Sequence, residues 1–380
     1  MQSMTQRSSV WLDCDPGHDD AVAILMALHL PEIDLKGIST VHGNASLQNT
    51  TYNAARCLLA FGSLEQVHRI PVVAGADKPL IRVVRHDDEI HGEDGLGGVE
   101  GLPDRTDAAV IAKLQETKAQ TAVLAIAEAA RALPRGEQLA LVATGSLTNA
   151  ALFVSLFPDL VRDKVSQIVI MGGAEGRGNR SPTAEFNILC DPHAASIVFD
   201  AEVPVVMAPL NITHTAIFRT HDNDALLTPG SALASLAETT PEARASPAKA
   251  HTPLRHTLST LLNFFAATYS SVFSFHDGPP VHDPLCIAYL SHPHLFRGKR
   301  YRVDVELEGR YTAGTTIVDL WEYRKDELVD YKEDPESRKS WGRLGKNVFV
   351  LEELDVPAFW QLFQQTVDAA DKVSLLNKET

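Results

Sequence analysis

Residues 10–30, VWLDCDPGHDDAVAILMALHL, constrain the fold of this chain more than any other stretch. The apolar run from Val10 to Leu12 is typical of a buried parallel strand. Pro16 and Gly17 then predict a turn, and residues 21–30 are apolar and rich in helix-forming residues. A strand that leads directly into a helix predicts an α/β protein. Such folds place their ligands at the carboxyl edge of the sheet, where this turn would lie.

Four aspartates crowd the turn: Asp13, Asp15, Asp19 and Asp20. Asp19 and Asp20 fit the first turn of a helix, where the helix dipole favours negative charge. That explanation does not account for Asp13 and Asp15. Close carboxylates repel one another and take up protons unless a cation neutralises them. A hard divalent ion that prefers oxygen ligands is the natural partner, so we favour a metal site over a solvated acidic turn.

The spacing DxDxGxDDAxA after an N-terminal strand resembles the signature of the nucleoside hydrolases, which cleave the N-glycosidic bond of ribonucleosides. Here it runs from Asp13 to Ala23. Further stretches resemble other motifs of that family: STVHGNASLQNTTYNA from Ser39, GNxxxxAEFNxxxDPxAA from Gly178, and the triplet HDP at His282. The resemblance covers about residues 9–320 and leaves the C-terminal tail outside the family pattern.

The resemblance implies a calcium site and a nucleoside site. Calcium would be held by three carboxylates and one main-chain oxygen, those of Asp15, Asp20, Asp283 and Thr144. Asp13 would support them from behind. The ribose hydroxyls would contact Asp19, Asn44, Asn179, Glu185 and Asn187. The base would face His91, Tyr269, Phe273 and His282.

Most of these residues also fit a purely structural role when the resemblance is set aside. Asn44 follows glycine at a strand end, which often makes a simple turn. The polar loop around Asn179 could be solvated, and so could His91. Tyr269 and Phe273 lie four residues apart on one helical face, where aromatic residues are usually part of the core.

Cleavage of a ribosyl bond builds positive charge on the sugar as the base leaves. We therefore assign Asp15 as the general base that activates water. His282, with an unperturbed pKa of about 6.5, is expected to donate a proton to the base. Calcium suits an irregular, protein-rich coordination shell better than magnesium does. Uridine and inosine are the favoured substrates, and the sequence does not decide between them.

Two other functions deserve comparison. A magnesium-dependent phosphatase also places DxD after its first strand. There, however, the fourth residue after the first aspartate is usually threonine or valine. This chain has Gly17 at that position and no matching lysine motif. A nucleoside-binding protein without turnover would not need both an acid and a base, and both proposed positions are filled.

The alternation of strand and helix patterns predicts a single domain with a mainly parallel, Rossmann-like central sheet flanked by helices. We expect a disordered tail over residues 1–9 and a domain over 10–380. Surface insertions are expected near 228–253 and 324–345. Antiparallel edge strands are predicted over 301–307 and 315–320, and a closing helix over 356–370.

The net charge, 34 − 49 = −15, argues against nucleic acid or an anionic membrane as a partner. No apolar run approaches the length of a membrane span, and the polar first nine residues predict no secretory signal. Cysteines 14, 57, 190 and 286 share no close spacing. We expect buried thiols in a reducing compartment, the cytoplasm. The resemblance further implies a homo-oligomer, a dimer or tetramer.

Overall fold

The structure is a computed structural model and describes residues 7–229, 249–324 and 337–378. Strands and helices alternate through most of that part of the chain. The strands are β1 (Ser8–Cys14), β2 (Ile33–Thr40), β3 (Val72–Ala74), β4 (Leu139–Ala143), β5 (Val165–Met171), β6 (Val205–Ala208), β7 (Phe296–Tyr301), β8 (Val303–Val305), β9 (Thr316–Val318) and β10 (Val348–Leu354).

The helices lie mainly in the connections between these strands. They are α1 (His18–His29), α2 (Leu47–Phe61), α3 (Leu64–Arg69), α4 (Asp88–His91), α5 (Ala108–Gln115), α6 (Ala122–Ala132), α7 (Thr148–Leu156), α8 (Pro158–Lys164), α9 (Phe186–Cys190), α10 (Pro192–Phe199), α11 (Leu210–Thr213), α12 (Thr220–Leu227), α13 (Pro253–Phe273), α14 (Pro284–Ser291) and α15 (Val356–Asp371).

One eight-stranded sheet organises the described residues, in the order β3-β2-β1-β4-β5-β6-β10-β7. Neighbouring strands are parallel except β10 and β7, which are antiparallel. The strand order reverses at β1, which lies between β2 and β4. Open α/β sheets bind ligands outside the carboxyl ends of the strands at such a reversal. The predicted fold class is therefore confirmed, and the aspartates follow the strand at that point.

Both faces of the sheet are covered. Val10 and Leu12 pack with the α1 side of the core, while Trp11 packs on the opposite face with residues of α6 and α7. The Trp11 ring lies against Gly37 of β2, where an added Cβ would come within 2.3 Å of the ring. Burial on both faces explains why the strands are continuous apolar runs and not alternating ones.

The sequence analysis was wrong about the edge of the sheet. β8 and β9 pair antiparallel, as expected, but they form a separate two-stranded sheet. At this end of the main sheet the edge strand is β7, and β10 lies between β7 and β6. The sequence predicted neither β7 nor β10. β7 carries Arg297, Lys299 and Arg300, and edge strands tolerate such charges because the charges discourage further pairing. A run with this much charge lacks the apolar signal of a buried strand.

The predicted terminal tail and insertions are only partly within the described residues. Residues 1–6, 230–248 and 325–336 lie outside them. Ser8 already belongs to β1, so the tail is shorter than expected. The described end of the second insertion is exposed at Leu344 but not throughout. Ser340 is buried, and the Arg338 guanidinium donates to the Val165 carbonyl at 2.9 Å.

Asn347, at the start of β10, should be a key residue for stability. Its side chain is fully buried and bonds the N–H and C=O of Val303 at 2.8 and 2.9 Å and the Phe199 carbonyl at 3.0 Å. Asn347→Ala would leave these groups without partners, so we expect a loss of at least about 2 kcal/mol in the free energy of unfolding. Urea titration measures it. The exposed Glu353→Gln control should change the value by less than about 0.5 kcal/mol, and an equal effect of both variants would contradict the assignment.

Candidate active site

Asp15 lies directly beyond β1 and has no exposed surface. Its Oδ2 accepts a hydrogen bond from the backbone N–H of Asn44 at 2.7 Å. Its Oδ1 is buried and has no hydrogen-bond partner among the described residues. Burial, followed by the charge of Asp20, raises the pKa of Asp15 well above its usual range. A buried carboxylate oxygen without a partner is costly, so this atom calls for a proton, a water or a cation.

Asp20 is held in place by four neighbouring donors. Its Oδ1 accepts from the Thr144 hydroxyl at 2.8 Å and from the backbone of Asp15 at 3.3 Å. Its Oδ2 accepts from the Asn44 amide at 3.0 Å and from the backbone of Gly17 at 3.1 Å. Asp20 thereby ties together the ends of β1, β2 and β4 at the reversal of the strand order.

Asp19, Asp20 and Asp283 form the acidic cluster of the site. Each is buried and offers an oxygen atom, and the three atoms lie within 4.8 Å of one another. Burial and the charges of Asp19 and Asp20 raise the pKa of Asp283 well above its usual range. Carboxyl groups this close repel one another, and a shared proton would relieve the repulsion. A cation would do the same work, so these residues fit a metal ion.

The predicted ligand set agrees with this cluster only in part. Asp20 and Asp283 belong to it, and Asp19, predicted to bind ribose, belongs to it as well. Asp15 is beside the cluster, joined to it through Asp20. The carbonyl oxygen of Thr144 accepts from the Asn187 amide at 2.7 Å, so it is already engaged with a residue assigned to the sugar.

Asp13 points away from the cluster, as expected for a supporting residue. Its Oδ1 accepts from the Ser39 hydroxyl at 2.5 Å and from the Asn149 amide at 2.8 Å. Burial raises the pKa of Asp13 to about 7. Asn149 also donates to the Thr40 carbonyl at 3.0 Å. Asp13 thus braces β2 and α7 against β1 behind the site.

A narrow cavity of 40 Å³ opens onto the acidic cluster. Most residues predicted for ribose and base converge on it: Asp19, Asn44, His91, Asn179, Glu185, Asn187, Tyr269 and His282 all line it. Two of the predicted metal ligands, Thr144 and Asp283, line it as well. Phe273 does not. It lies in a wider adjoining cavity of 590 Å³, which shares Asn179 and Tyr269 with the narrow one.

Glu185 and Asn179 differ sharply in how they are held. The Glu185 carboxylate caps the N-terminus of α9 and accepts from the backbone N–H groups of Gly173, Asn187 and Ile188 at 2.8–3.0 Å. Burial raises its pKa to about 7. By contrast, Oδ1 of Asn179 is buried without a partner among the described residues. Asn179 is therefore free to bind a hydroxyl group.

His282 and Tyr269 form a hydrogen-bonded pair at the cavity, with 2.7 Å between His282 Nε2 and the tyrosine hydroxyl. His282 Nδ1 is 2.8 Å from the Thr213 hydroxyl. Burial lowers the pKa of His282 well below 6.5 and raises that of Tyr269. These directions favour the neutral form of both groups, whereas the sequence alone suggests an unperturbed imidazole at His282.

Sequence reasoning missed several residues of the site. His18 stacks on Phe264 and Phe265, with ring centroids 5.1 and 5.4 Å apart, and its Nδ1 lies 3.2 Å from Nδ1 of His91. His18 lies inside the signature motif and next to Asp19, and this position could have identified it as a site residue. Asp87 also lines the narrow cavity. A lone aspartate in a charged loop carries no comparable signal.

Fold and site together define a mainly parallel α/β protein with buried carboxylates beside a polar cavity at the carboxyl ends of its strands. The family model described as inosine-uridine preferring nucleoside hydrolase matches residues 10–361. The chain belongs to this family and is a hydrolase of the N-glycosidic bond of ribonucleosides. The match extends beyond the expected limit near residue 320 and includes β10 and the start of α15.

Two curated relatives and one solved structure illustrate the relationship. The pyrimidine-specific ribonucleoside hydrolase RihA of Citrobacter koseri is 40% identical over 312 residues, which is 82% of this chain and 88% of the relative. RihA of Escherichia coli K12 is 39% identical over the same shares. The purine-preferring ribonucleoside hydrolase from Gardnerella vaginalis has a TM-score of 0.76 at 27% identity, covering 97% of this chain and 100% of that chain. Family membership excludes the phosphatase alternative.

Removal of divalent metal ions should abolish hydrolysis and lower Tm, because an ion that binds only the folded protein stabilises it by about 2.7 kcal/mol at 100 times its Kd. Calorimetry before and after exhaustive chelation measures the shift. Asp283→Ala should lose the gain in Tm on metal addition, whereas Asp159→Asn, whose side chain is 88% exposed, should keep it. Full activity of the metal-free protein would refute the site.

Proposed function

We propose that the chain hydrolyses pyrimidine ribonucleosides, uridine foremost, to ribose and the free base, with a calcium ion at the acidic cluster. The observation that carries the proposal is the meeting of two arrangements in one cavity. The buried carboxylates of Asp19 and Asp283 line it, and so does the hydrogen-bonded His282–Tyr269 pair. The names of the curated relatives support the pyrimidine preference.

Asp15 is the group placed to take a proton from water. Its unpartnered Oδ1 is an acceptor beside the cluster, and its other oxygen is fixed by Asn44. A calcium ion held by Asp19, Asp20 and Asp283, with Asp15 beside them, would lower the pKa of a bound water. The proton that Asp15 removes is balanced by one delivered to the leaving base.

The leaving base takes its proton from the His282–Tyr269 pair. Thr213 can donate to His282 Nδ1, which leaves the proton on Nε2, directed at the tyrosine oxygen. Tyr269 can then pass its own hydroxyl proton to the base, while the Nε2–H of His282 donates a hydrogen bond to the phenolate oxygen that results. Tyr269 regains a proton from water after the base has left, and Asp15 releases to water the proton that it took, so the protons balance and no buried imidazolium charge is needed.

The polar wall of the cavity fixes the sugar. Asn187 is itself held by its bonds to the carbonyls of Thr144 and Met171, at 2.7 and 3.1 Å. Asn179 offers an oxygen without a partner. Such prepositioned groups bind the hydroxyls more strongly as positive charge develops on the ribose.

Location and assembly are part of the same proposal. All four cysteines are buried free thiols, which supports a reducing compartment, the cytoplasm. No helix in the part of the chain that the structure describes is long and apolar enough to cross a bilayer. We keep the expectation that the enzyme works as a dimer or tetramer.

His282→Ala and Tyr269→Phe should each lose about 10²–10⁴-fold of turnover on uridine while keeping much of the activity on p-nitrophenyl riboside. Uracil leaves poorly without a proton, whereas a nitrophenolate leaves well. The loss should fall on kcat more than on KM, because the hydrogen bond matters chiefly in the transition state. Parallel assays of the two substrates measure it.

The competing explanation is that His282 only braces the neighbouring Asp283. Both substrates would then suffer alike, and the affinity of the variant for calcium would fall. A calcium titration of His282→Ala followed by Tm separates the two cases. An equal loss on both substrates would end the leaving-group role.

2′-Deoxyuridine should be a poor substrate, with kcat/KM reduced by about 10²-fold or more, because buried groups that bind the missing hydroxyl would be left unpaired. Asn187→Ala should reduce the activity on uridine, cytidine and inosine by similar factors, since all three carry the same sugar. Equal rates of the wild type on uridine and deoxyuridine would contradict the ribose assignment.

A further inference from the structure

Arg180 connects three separate segments around the narrow cavity. It belongs to the loop between β5 and α9. Its Nε donates to Asp87 Oδ2 at 2.9 Å and its Nη2 donates to the other oxygen of the same carboxylate. Its guanidinium carbon lies 5.1 Å from the centre of the Phe273 ring at the end of α13. Bidentate pairing and stacking on an aromatic ring use the planar guanidinium in ways that lysine cannot reproduce.

Asp87 links Arg180 to His91 and Asn44, two residues that line the narrow cavity. Its carbonyl accepts from the backbone N–H of His91 at 3.0 Å, and its own N–H donates to the carbonyl of Asn44 at 3.3 Å. Asp87 and its partner Arg180 are mostly enclosed, with side chains 10% and 18% exposed. On the other side, Arg180 directly follows Asn179. The ion pair therefore fixes His91, Asn44 and Asn179 relative to one another.

The narrow cavity is too small for the substrate in this arrangement. Pockets for small ligands usually enclose about 300–1,000 Å³, and this cavity encloses 40 Å³. Even if the base occupied the adjoining cavity of 590 Å³, the walls of the narrow cavity would have to separate to admit the ribosyl group. The three segments that form the outer walls carry Asp87, Asn179 and Tyr269, and these are the segments that Arg180 joins.

We propose that Arg180 is a positioning residue that fastens the closed form of the site: its contacts with Asp87 and Phe273, hereafter the Arg180 latch, release to admit the ribonucleoside and reform around it. The proposal rests on the ribonucleoside site proposed above. It gives a task to a residue that touches neither the acidic cluster nor the His282–Tyr269 pair in the described contacts.

Glu89 provides a matched control. Arg180 also pairs with it, at 3.2 Å, but the Glu89 side chain is 74% exposed and does not line the narrow cavity. Exposed ion pairs contribute little to binding geometry. If charge alone mattered at Arg180, loss of either acidic partner would have similar effects. The Arg180 latch predicts that loss of the Asp87 carboxylate, and not loss of the Glu89 carboxylate, weakens substrate binding.

The test compares Arg180→Gln, Asp87→Asn, the double variant and Glu89→Gln. Initial rates on uridine should show KM raised about tenfold or more in both single variants, with a smaller fall in kcat. The double variant should be no worse than either single variant, because each removes the same contact. Glu89→Gln should behave as the wild type. Amide hydrogen exchange over residues 87–97 should be faster in the Arg180 and Asp87 variants and unchanged in Glu89→Gln.

These readouts separate the latch from a general effect on folding. A partly unfolded enzyme loses kcat at unchanged KM, because its folded fraction still binds normally. An unchanged KM in Arg180→Gln, or additive losses in the double variant, would overturn the proposal. The exchange measurement needs no substrate. Failure of the wild type to hydrolyse uridine would refute the proposed function but not the latch. Unchanged hydrogen exchange over residues 87–97 in Arg180→Gln and Asp87→Asn would refute the latch.

Discussion

The burial of Asp15, Asp20 and Asp283 in one place is the constraint on which the rest of the structure depends. Buried carboxylates without counter-charge are strongly unfavourable. Among the described residues, no Lys or Arg side chain lines the narrow cavity beside them. The protein offsets the cost with backbone and side-chain donors from three strand ends, and a metal ion would offset what remains. The same cluster of negative charge is what a ribosyl group needs as it becomes positive.

The sheet explains why these groups can meet at all. At the reversal of strand order, the carboxyl ends of β2, β1 and β4 lie side by side, so Asn44, Asp15 and Thr144 arrive from three distant parts of the sequence. Gly43 permits the closest approach. An added Cβ there would come within 1.9 Å of Asp15 Oδ2, so any larger residue would displace the carboxylate. The position of the Asp15 carboxylate therefore depends on the absence of a side chain at residue 43 as well as on its hydrogen bonds.

Sequence reasoning was sufficient where a motif and a strand end coincided. The signature after β1 and the HDP triplet predicted residues that do converge on one cavity. It failed where the decisive fact is a long-range contact. The pKa of His282 depends on burial beneath α11 and α13, which no local pattern records. β7 and β10 pair across 46 residues or more, and the charged sequence of β7 hides its place at the edge of the main sheet.

Burial lowers the pKa of His282 and so favours the neutral imidazole at this position. An imidazolium beside Asp283 would compensate one buried carboxylate, and it would compete with a metal ion for the same negative charge. A neutral histidine bonded to Tyr269 avoids that competition, so the cation and the proton donor occupy different sides of the cavity. In the proposed mechanism, water would be activated at the acidic cluster and the base protonated at the aromatic side, with the ribosyl group between the two. The fold thus buries the negatively charged carboxylates on one side of the pocket and the uncharged hydrogen-bonding pair on the other.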